Sequence, residues 1–343
     1  MGVKILLKKF VDVSGISGSE DNVRNLMKKE LRGHVNKVYE DRVGNLISVK
    51  GNGKLKILLT AHMDEIGFIV KHINDKGFLK LNPLGGWDPK ILLSQRVRIH
   101  TDKGTVNGVI GSKAIHMQEK EELEKAPKLK QLFVDIGADS KEDAEKMVKI
   151  GDYAEITGEF SELGSNRTAG RCFDNRISCV VLTEVMRRVK PKGSTLYGVG
   201  SVQEELGLKG ATAAMFGVDP DVIISLDVGL AADPYTEDGE VSNKLGEGAI
   251  IEIQEYAFVV HKKVKKLLVE TAKKNKIPYQ LGVSSGGASE ATKAILTREG
   301  KPGGLVGVPV RYMHSTVETA DLKDIESAIS LVTRAVENAG NYF

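Results

Sequence analysis

Apolar runs of strand length alternate with amphipathic segments along much of the chain. Runs that are typical of strands lie at residues 46–49, 57–61, 195–202, 222–226 and 305–308. The run at 57–61 is continuous, as expected of a strand buried on both faces of a sheet. Segments with helical spacing lie at residues 177–189, 260–274 and 322–338. This alternation predicts an α/β fold, with a mixed, mostly parallel sheet sandwiched by helices.

The stretch between residues 66 and 164 differs, because its short strands are joined by turn signals. The sequences NDKG at 74–77 and TDKG at 101–104 are typical of hairpin turns. We therefore expect residues 66–164 to form a small β-barrel domain. It would be inserted into a larger domain made of residues 1–65 and 165–343.

Composition excludes several classes of protein. The chain has 343 residues, 41% hydrophobic and 28% charged, as in an ordinary globular protein. Its 49 basic and 46 acidic residues leave a formal charge of +3, so nothing favours nucleic acid as a partner. No apolar run is long enough for a transmembrane helix, and no signal-peptide core is present. We expect no membrane partner and, with two cysteines too few for a disulfide framework, a cytoplasmic location.

Residues able to bind a metal ion follow the predicted strands where these strands end. In open parallel sheets, ligands bind outside the carboxyl ends of the strands, so these side chains should converge on one rim. Asp174, just before a predicted helix, can face the same rim. The candidates at the strand ends are His62, Asp64, Glu204, Glu205, Asp227 and His314.

Such a set of side chains suits a pair of divalent cations. Zinc and cobalt both accept imidazole nitrogen and carboxylate oxygen, and two ions about 3.5–4 Å apart need one bridging carboxylate. Five side chains suffice, which leaves a glutamate to move protons in a hydrolase. Each residue alone is more typical of a cap, a solvated pair or a loop. Together, the acidic groups would repel one another without a cation.

Five motifs, in order along nearly the whole chain, resemble those of the tetrahedral aminopeptidases. That family of dinuclear metallo-aminopeptidases is also called glutamyl or deblocking aminopeptidases. The resemblance implies a catalytic α/β domain of the zinc exopeptidase type with an inserted PDZ-like β domain. The motifs are AHMDEIG at 61–67, GVIGSK at 108–113, FDNR at 173–176, VQEELG at 202–207 and PVRYMHS at 309–315.

The resemblance also implies which residues bind the metal ions. One zinc or cobalt ion would be held by His62, Asp174 and Asp227. The second ion would be held by Asp174, Glu205 and His314, so that Asp174 is the bridge between the two.

Two further roles and an assembly follow from the same resemblance. Glu204 would be the general base and then the general acid, and Asp64 would orient His62. The family trims free N-terminal residues from peptides, so we expect peptide substrates. It assembles as a hollow tetrahedral dodecamer built from dimers, so we expect a homo-oligomer of that kind.

The chain departs from the family at three places without losing a ligand. Asn175 follows the bridging aspartate where a second aspartate is frequent, Ser289-Glu290 replaces Thr-Asp or Ser-Asp, and 246–249 lacks a lysine and a proline. We expect these changes to bear on side-chain preference and not on the chemistry.

Three alternative functions remain open from the sequence. A dinuclear amidohydrolase or deacylase acting on small N-acyl compounds would use the same residues. A glycosidase of the endoglucanase type would use two carboxylates without a metal ion. A non-catalytic assembly protein would bind no metal ion.

Overall fold

Twelve strands of the described chain form one sheet and six others close into a barrel. The computed structural model describes residues 2–120, 125–232 and 243–343. The sheet strands are β1 (Lys37–Glu40), β2 (Leu46–Gly51), β3 (Leu55–His62), β10 (Ser161–Leu163), β11 (Arg167–Gly170), β12 (Ser194–Ser201), β13 (Val222–Leu230), β14 (Ala249–Glu255), β15 (Phe258–Val259), β16 (Tyr279–Val283), β17 (Gly303–Arg311) and β18 (Glu318–Asp321). The barrel strands are β4 (Gly67–Ile73), β5 (Leu79–Leu84), β6 (Arg96–Thr101), β7 (Gly104–Ile110), β8 (Val134–Asp135) and β9 (Tyr153–Ile156). The helices described are α1 (Val3–Val11), α2 (Asp21–Leu31), α3 (Lys141–Met147), α4 (Phe173–Arg188), α5 (Lys209–Val218), α6 (Lys262–Asn275) and α7 (Leu322–Asn338).

Parallel pairing lies at the centre of the sheet. The strand order is β1-β2-β12-β3-β13-β17-β18-β11-β10, and the four strands β12, β3, β13 and β17 run parallel. The outer strands pair antiparallel except for β14 and β16, which run parallel, and β14 shares one edge of β17 with β18. The mixed α/β architecture confirms the predicted fold class. The antiparallel margins include short strands, such as β11 and β18, that have no continuous apolar run.

Helices cover both faces of the sheet. The larger core takes residues from α1, α2, α4, α6 and α7, and the smaller core takes residues from α5. Strand β3 supplies both cores, because Ile57 and Leu59 face the larger one and Leu58 faces the smaller. Helix α4 is buried from Phe173 to Met186, between the sheet and its neighbouring helices. No helix in the described ranges is long and apolar enough to cross a membrane.

The barrel closes in the order β4-β5-β8-β7-β6-β9, with antiparallel pairing as the hairpin signals predict. Its core includes Phe68, Leu79 and Val97. Trp87 stacks on Phe68 with ring centroids 5.0 Å apart, and its Nε1–H donates to the Gly67 carbonyl. The indole therefore ties the loop after β5 to the start of the barrel, next to the end of β3.

A buried ion-pair network joins the barrel to the large sheet. Arg171 is 5% exposed and pairs with Glu65, which follows β3, and with Glu155 on barrel strand β9, at 3.2 Å. Arg176 in α4 is fully buried and pairs with the other oxygen of Glu65 at 2.8 Å. Removing Arg171 would take one cationic partner from each of two buried carboxylates, Glu65 and Glu155, which costs more than losing a surface pair.

Replacing Arg171 with methionine should lower the free energy of unfolding by about 3–5 kcal/mol, the usual cost of breaking a buried ion pair. Chemical denaturation measures this loss. The matched control is Arg188→Met, because Arg188 forms an ion pair with Glu326 on partly exposed helix surfaces. The control should cost about 1 kcal/mol or less. Equal losses in the two variants would contradict a structural role for Arg171 at the junction.

Candidate metal centre

The ends of β3 and β12 place three candidate residues at one edge of the sheet. His62 is the last residue of β3 and is paired in register with Ser201, the last residue of the parallel strand β12. Glu204 and Glu205 lie in the short segment of chain that follows Ser201. These three side chains therefore start from neighbouring points, as the strand-end pattern predicted.

The remaining candidates reach the same edge from β13, β17 and α4. Asp227 lies on β13 opposite Gly307 of β17, and His314 follows the end of β17. Asp174 lies in the first turn of α4, whose burial fixes its position. The structure thus brings together all the residues that the sequence analysis assigned to metal binding.

The carboxylate of Asp174 lies between two imidazoles. Its Oδ1 is 3.2 Å from Nε2 of His62, and its Oδ2 is 3.4 Å from Nε2 of His314. Asp227 Oδ1 is 3.7 Å from the same nitrogen of His62, and Glu205 Oε1 is 3.4 Å from that of His314. One carboxylate with an oxygen towards each histidine is what a bridge between two ions requires.

Potential ligand atoms cluster within 4.8 Å of one another in three overlapping sets. Two sets are the ligand groups implied by the resemblance, and the third joins His62 to Glu204 and Glu205. Oε2 of Glu204 is 3.9 Å from Nε2 of His62. Glu204 therefore reaches the same centre without belonging to either of the first two sets, which are His62–Asp174–Asp227 and Asp174–Glu205–His314.

The side chains present fit a pair of divalent cations. Within the described chain, no lysine or arginine forms an ion pair with Asp174, Glu205 or Asp227. Asp174 is 9% exposed, and its Oδ1 is fully buried without a hydrogen bond of good geometry from any described residue. Buried carboxylates are normally paired or bound to metal. Imidazole and carboxylate together are the donors that zinc and cobalt accept.

The pKa of Glu204 is raised well above the ordinary value of a glutamate. Burial is the largest cause, and the charge of His62 opposes it, whereas the nearby carboxylates of Asp227 and Glu205 raise the pKa further. A raised pKa makes a carboxylate a better proton acceptor, which is what a general base requires. The environment of Glu204 therefore suits proton transfer.

The two histidines lie in a strongly negative field. Burial alone would lower the pKa of His314, but the carboxylates of Asp174 and Glu205 raise it to about 11. The pKa of His62 is likewise raised well above its ordinary value, against the effect of burial, by carboxylates that include Glu204. A field that favours protons on imidazole also favours cations, and the two compete for the same nitrogens.

The carboxylate of Asp64 holds the backbone next to the proposed ligands. It is fully buried, and its two oxygens accept the backbone N–H groups of Glu204 at 2.9 Å and Glu205 at 3.1 Å. Oδ1 of Asp64 is also 3.5 Å from Nδ1 of His62. One side chain thus connects the histidine of β3 to the glutamate pair after β12, an arrangement that fits the orienting role predicted for Asp64.

Glu318 supports the other half and was missed by the sequence analysis. It is 2% exposed, and its oxygens accept the backbone N–H groups of Asp174 at 3.0 Å and His314 at 2.7 Å. The available signal was its place four residues after His314 in the short strand β18. Nδ1 of His314 is also 3.0 Å from the carbonyl of Gly86, in the loop after β5. The barrel thereby orients one of the ligands.

Several residues next to the ligands adopt a left-handed backbone. The φ angles are 50° at Cys172, 52° at Gln203, and 60° at Tyr312 and His314. Non-glycine residues rarely occupy this region, and such outliers gather at functional sites. These turns redirect the chain directly before Asp174 and Glu204 and at His314.

Comparison with known proteins identifies the family. The family model described as M42 glutamyl aminopeptidase matches residues 44–331. The chain belongs to the M42 aminopeptidase family. A putative aminopeptidase of Acetivibrio thermocellus is 41% identical and covers 96% of this chain and 97% of its own length. The family resemblance and the predicted enzyme class are confirmed: the protein is an aminopeptidase, a hydrolase of peptide bonds.

Solved structures of similar M42 peptidases share the whole fold. An aminopeptidase from the archaeon Desulfurococcus kamchatkensis has a TM-score of 0.94 at 39% identity, covering 98% of this chain and 94% of its own. The TET1 peptidase of Pyrococcus horikoshii, described as assembling into a tetrahedron or a large octahedral shell, has a TM-score of 0.89 at 32% identity. That match covers 97% of this chain and 98% of the other.

Replacing Glu318 with glutamine tests its support of the ligands. A glutamine has one oxygen to accept two N–H groups and turns its amide N–H towards one of them. We expect zinc to bind about 10–100-fold more weakly, the usual cost of losing a partner that orients a ligand, in a competition assay with a chromogenic chelator. Glu326→Gln, on the exposed face of α7, is the control. Unchanged affinity in the Glu318 variant would refute its supporting role.

Proposed function

We propose that this M42 peptidase removes N-terminal residues from peptides with a pair of divalent metal ions. The observation that carries the proposal is the carboxylate of Asp174, with one oxygen facing the buried imidazole of His62 and the other facing the partly exposed imidazole of His314. In this proposal His62 and Asp227 complete one metal position, and Glu205 and His314 complete the other. Zinc or cobalt is favoured by the mixture of imidazole and carboxylate.

The protein residues would divide the work of hydrolysis between them. When bound, the two ions would make a water molecule more acidic and polarise the scissile carbonyl. Glu204 would accept a proton as the nucleophile attacks and would pass that proton to the departing amine. The raised pKa of its buried carboxyl group suits the first of these steps. Asp64 would hold the backbone of Glu204 so that its side chain reaches the reacting atoms.

We also propose that the chain forms a homo-oligomer, a tetrahedral dodecamer built from dimers. The support is similarity over nearly the whole chain to a peptidase described as assembling into a tetrahedron. In such a shell the active sites face the interior. Only peptides small or unfolded enough to enter would then be cleaved.

Replacing Glu204 with glutamine separates proton transfer from metal binding. We expect the variant to keep its metal content and to lose about 10²–10⁴ in turnover, the usual contribution of a general base. The comparison variant is Glu205→Gln, which should bind metal more weakly because Glu205 is one of the proposed ligands. Mass spectrometry gives the metal content, and aminoacyl chromogenic amides give the turnover. Near-normal turnover by metal-loaded Glu204→Gln would remove Glu204 from its role.

Chelation tests the metal requirement and separates the alternative functions. We expect dialysis against a chelator to abolish release of N-terminal residues, and zinc or cobalt to restore it at about two ions per chain. A deacylase would instead prefer N-acyl amino acids, and a glycosidase would cleave β-glucan with or without chelator. Activity that survives chelation, or metal content near zero in an active preparation, would contradict the proposal.

A further inference from the structure

A cavity of about 250 Å³ opens beside the metal centre and extends past it. Its lining includes the proposed ligands His62, Asp227 and His314. It also includes two carboxylates that the proposed chemistry does not use, Glu252 and Glu255 on β14. A substrate residue held at the metal centre would therefore have room for its side chain directed towards these acids.

An irregularity in β14 brings both acids to the cavity. In a regular strand Glu252 and Glu255 would point to opposite faces, because they are an odd number of residues apart. The pairing of β14 with β16 shifts between Glu252 and Gln254, as at a β-bulge. A bulge resets the alternation of side chains. Both glutamates consequently line the cavity.

Glu252 is an unpaired buried acid. Its side chain is 6% exposed, and its Oε1 is fully buried without a hydrogen-bond partner among the described residues. The neighbouring strand makes room for it at Gly282, where an added Cβ would lie 2.2 Å from Oε2. Burial, together with the charge of Glu255, raises the pKa of Glu252 to about 7. A cation placed in the cavity would relieve both costs.

Glu255 is held in place by the glycine-rich loop. The N–H and the hydroxyl of Ser289 both donate to Oε2 of Glu255, at 3.1 and 2.8 Å. No lysine or arginine of the described chain pairs with either glutamate or lines the cavity. The negative charge is therefore held in position, and no basic side chain among the described residues neutralises it.

The cavity that contains the two acids is also lined by aliphatic side chains, namely Val228, Val283, Leu305 and Met313. A cavity with both apolar and carboxylate lining matches a side chain with a long hydrocarbon stem and a cationic end. Lysine and arginine are the amino acids of that kind.

We propose that this cavity receives the side chain of the substrate's first residue and selects lysine or arginine through Glu252 and Glu255. The inference rests on the proposed aminopeptidase function and adds the class of residue removed. Both glutamates act as specificity-determining residues, and neither takes part in the bond cleavage. A competing role for these acids is to bind the free α-amino group, which every substrate carries.

The test compares substrates that differ only in the terminal cation. Lysine and norleucine have the same hydrocarbon stem, so their p-nitroanilides isolate the contribution of the ammonium group. We expect the metal-loaded wild type to prefer lysine over norleucine in kcat/KM by about 30-fold or more, as for a buried charge pair. Glu252→Gln should remove most of that preference while changing norleucine turnover by less than about threefold.

Two further variants test whether the effect of Glu252→Gln arises only from a change in structure. Glu255→Gln should reduce the same preference, and Glu247→Gln, exposed and outside the cavity, should leave it unchanged. Equal loss on lysine and norleucine in Glu252→Gln would overturn the inference and assign the acids to the α-amino group. Wild-type cleavage of norleucine without a preference for lysine would overturn the inference alone. No cleavage of either substrate would overturn the inference, and no cleavage of any residue in a wider panel of aminoacyl p-nitroanilides by the metal-loaded enzyme would overturn the proposed function as well.

Discussion

Negative charge that no lysine or arginine of the described chain neutralises is the constraint on which the proposed metal centre depends. Asp174, Glu205 and Asp227 gather at one edge of the sheet, and no lysine or arginine in the described ranges pairs with them. Two other buried acids beside this cluster have hydrogen-bond partners in the protein backbone. Asp64 and Glu318 accept backbone N–H groups of the ligand-bearing segments. Asp64 and Glu318 therefore hold the backbone next to the proposed ligands. The carboxylates of Asp174, Glu205 and Asp227 remain available to bind cations.

The barrel is part of this arrangement and not a separate attachment. The Gly86 carbonyl, in the loop after β5, fixes the ring of His314. Arg171 clamps Glu155 of the barrel to Glu65, which follows His62 by three residues. A change in the position of the barrel relative to the sheet would therefore alter the surroundings of both His62 and His314. This coupling gives a physical reason for inserting the barrel directly after the first metal-binding motif.

The sequence predicted the parts of the structure that depend on local pattern. Continuous apolar runs located β3, β13 and β17, and the residues at their ends identified His62, Asp227 and His314. Of the antiparallel margins, β2 was predicted from its apolar run at 46–49. Strands such as β18 were not predicted, because they are short and carry polar residues. Glu318 was missed for the same reason: its role depends on two backbone N–H groups, one of them 144 residues away. No local pattern reports such a contact.

The cavity acids show why substrate preference is harder to predict than chemistry. Alternation along β14 would separate Glu252 from Glu255, and only the shift in pairing with β16 brings them to one side. Such a shift is set by the neighbouring strand and by the space at Gly282, neither of which is visible in the segment itself. Three of the proposed metal ligands, His62, Glu205 and His314, lie in contrast at or shortly after strand ends, where parallel sheets bind ligands. Residues of β14 and of the glycine-rich loop can therefore change the charge of the cavity while the ligands stay in place. Under the proposed specificity, a departure such as Ser289, which donates to Glu255, would change which residue is removed and leave the hydrolysis itself intact.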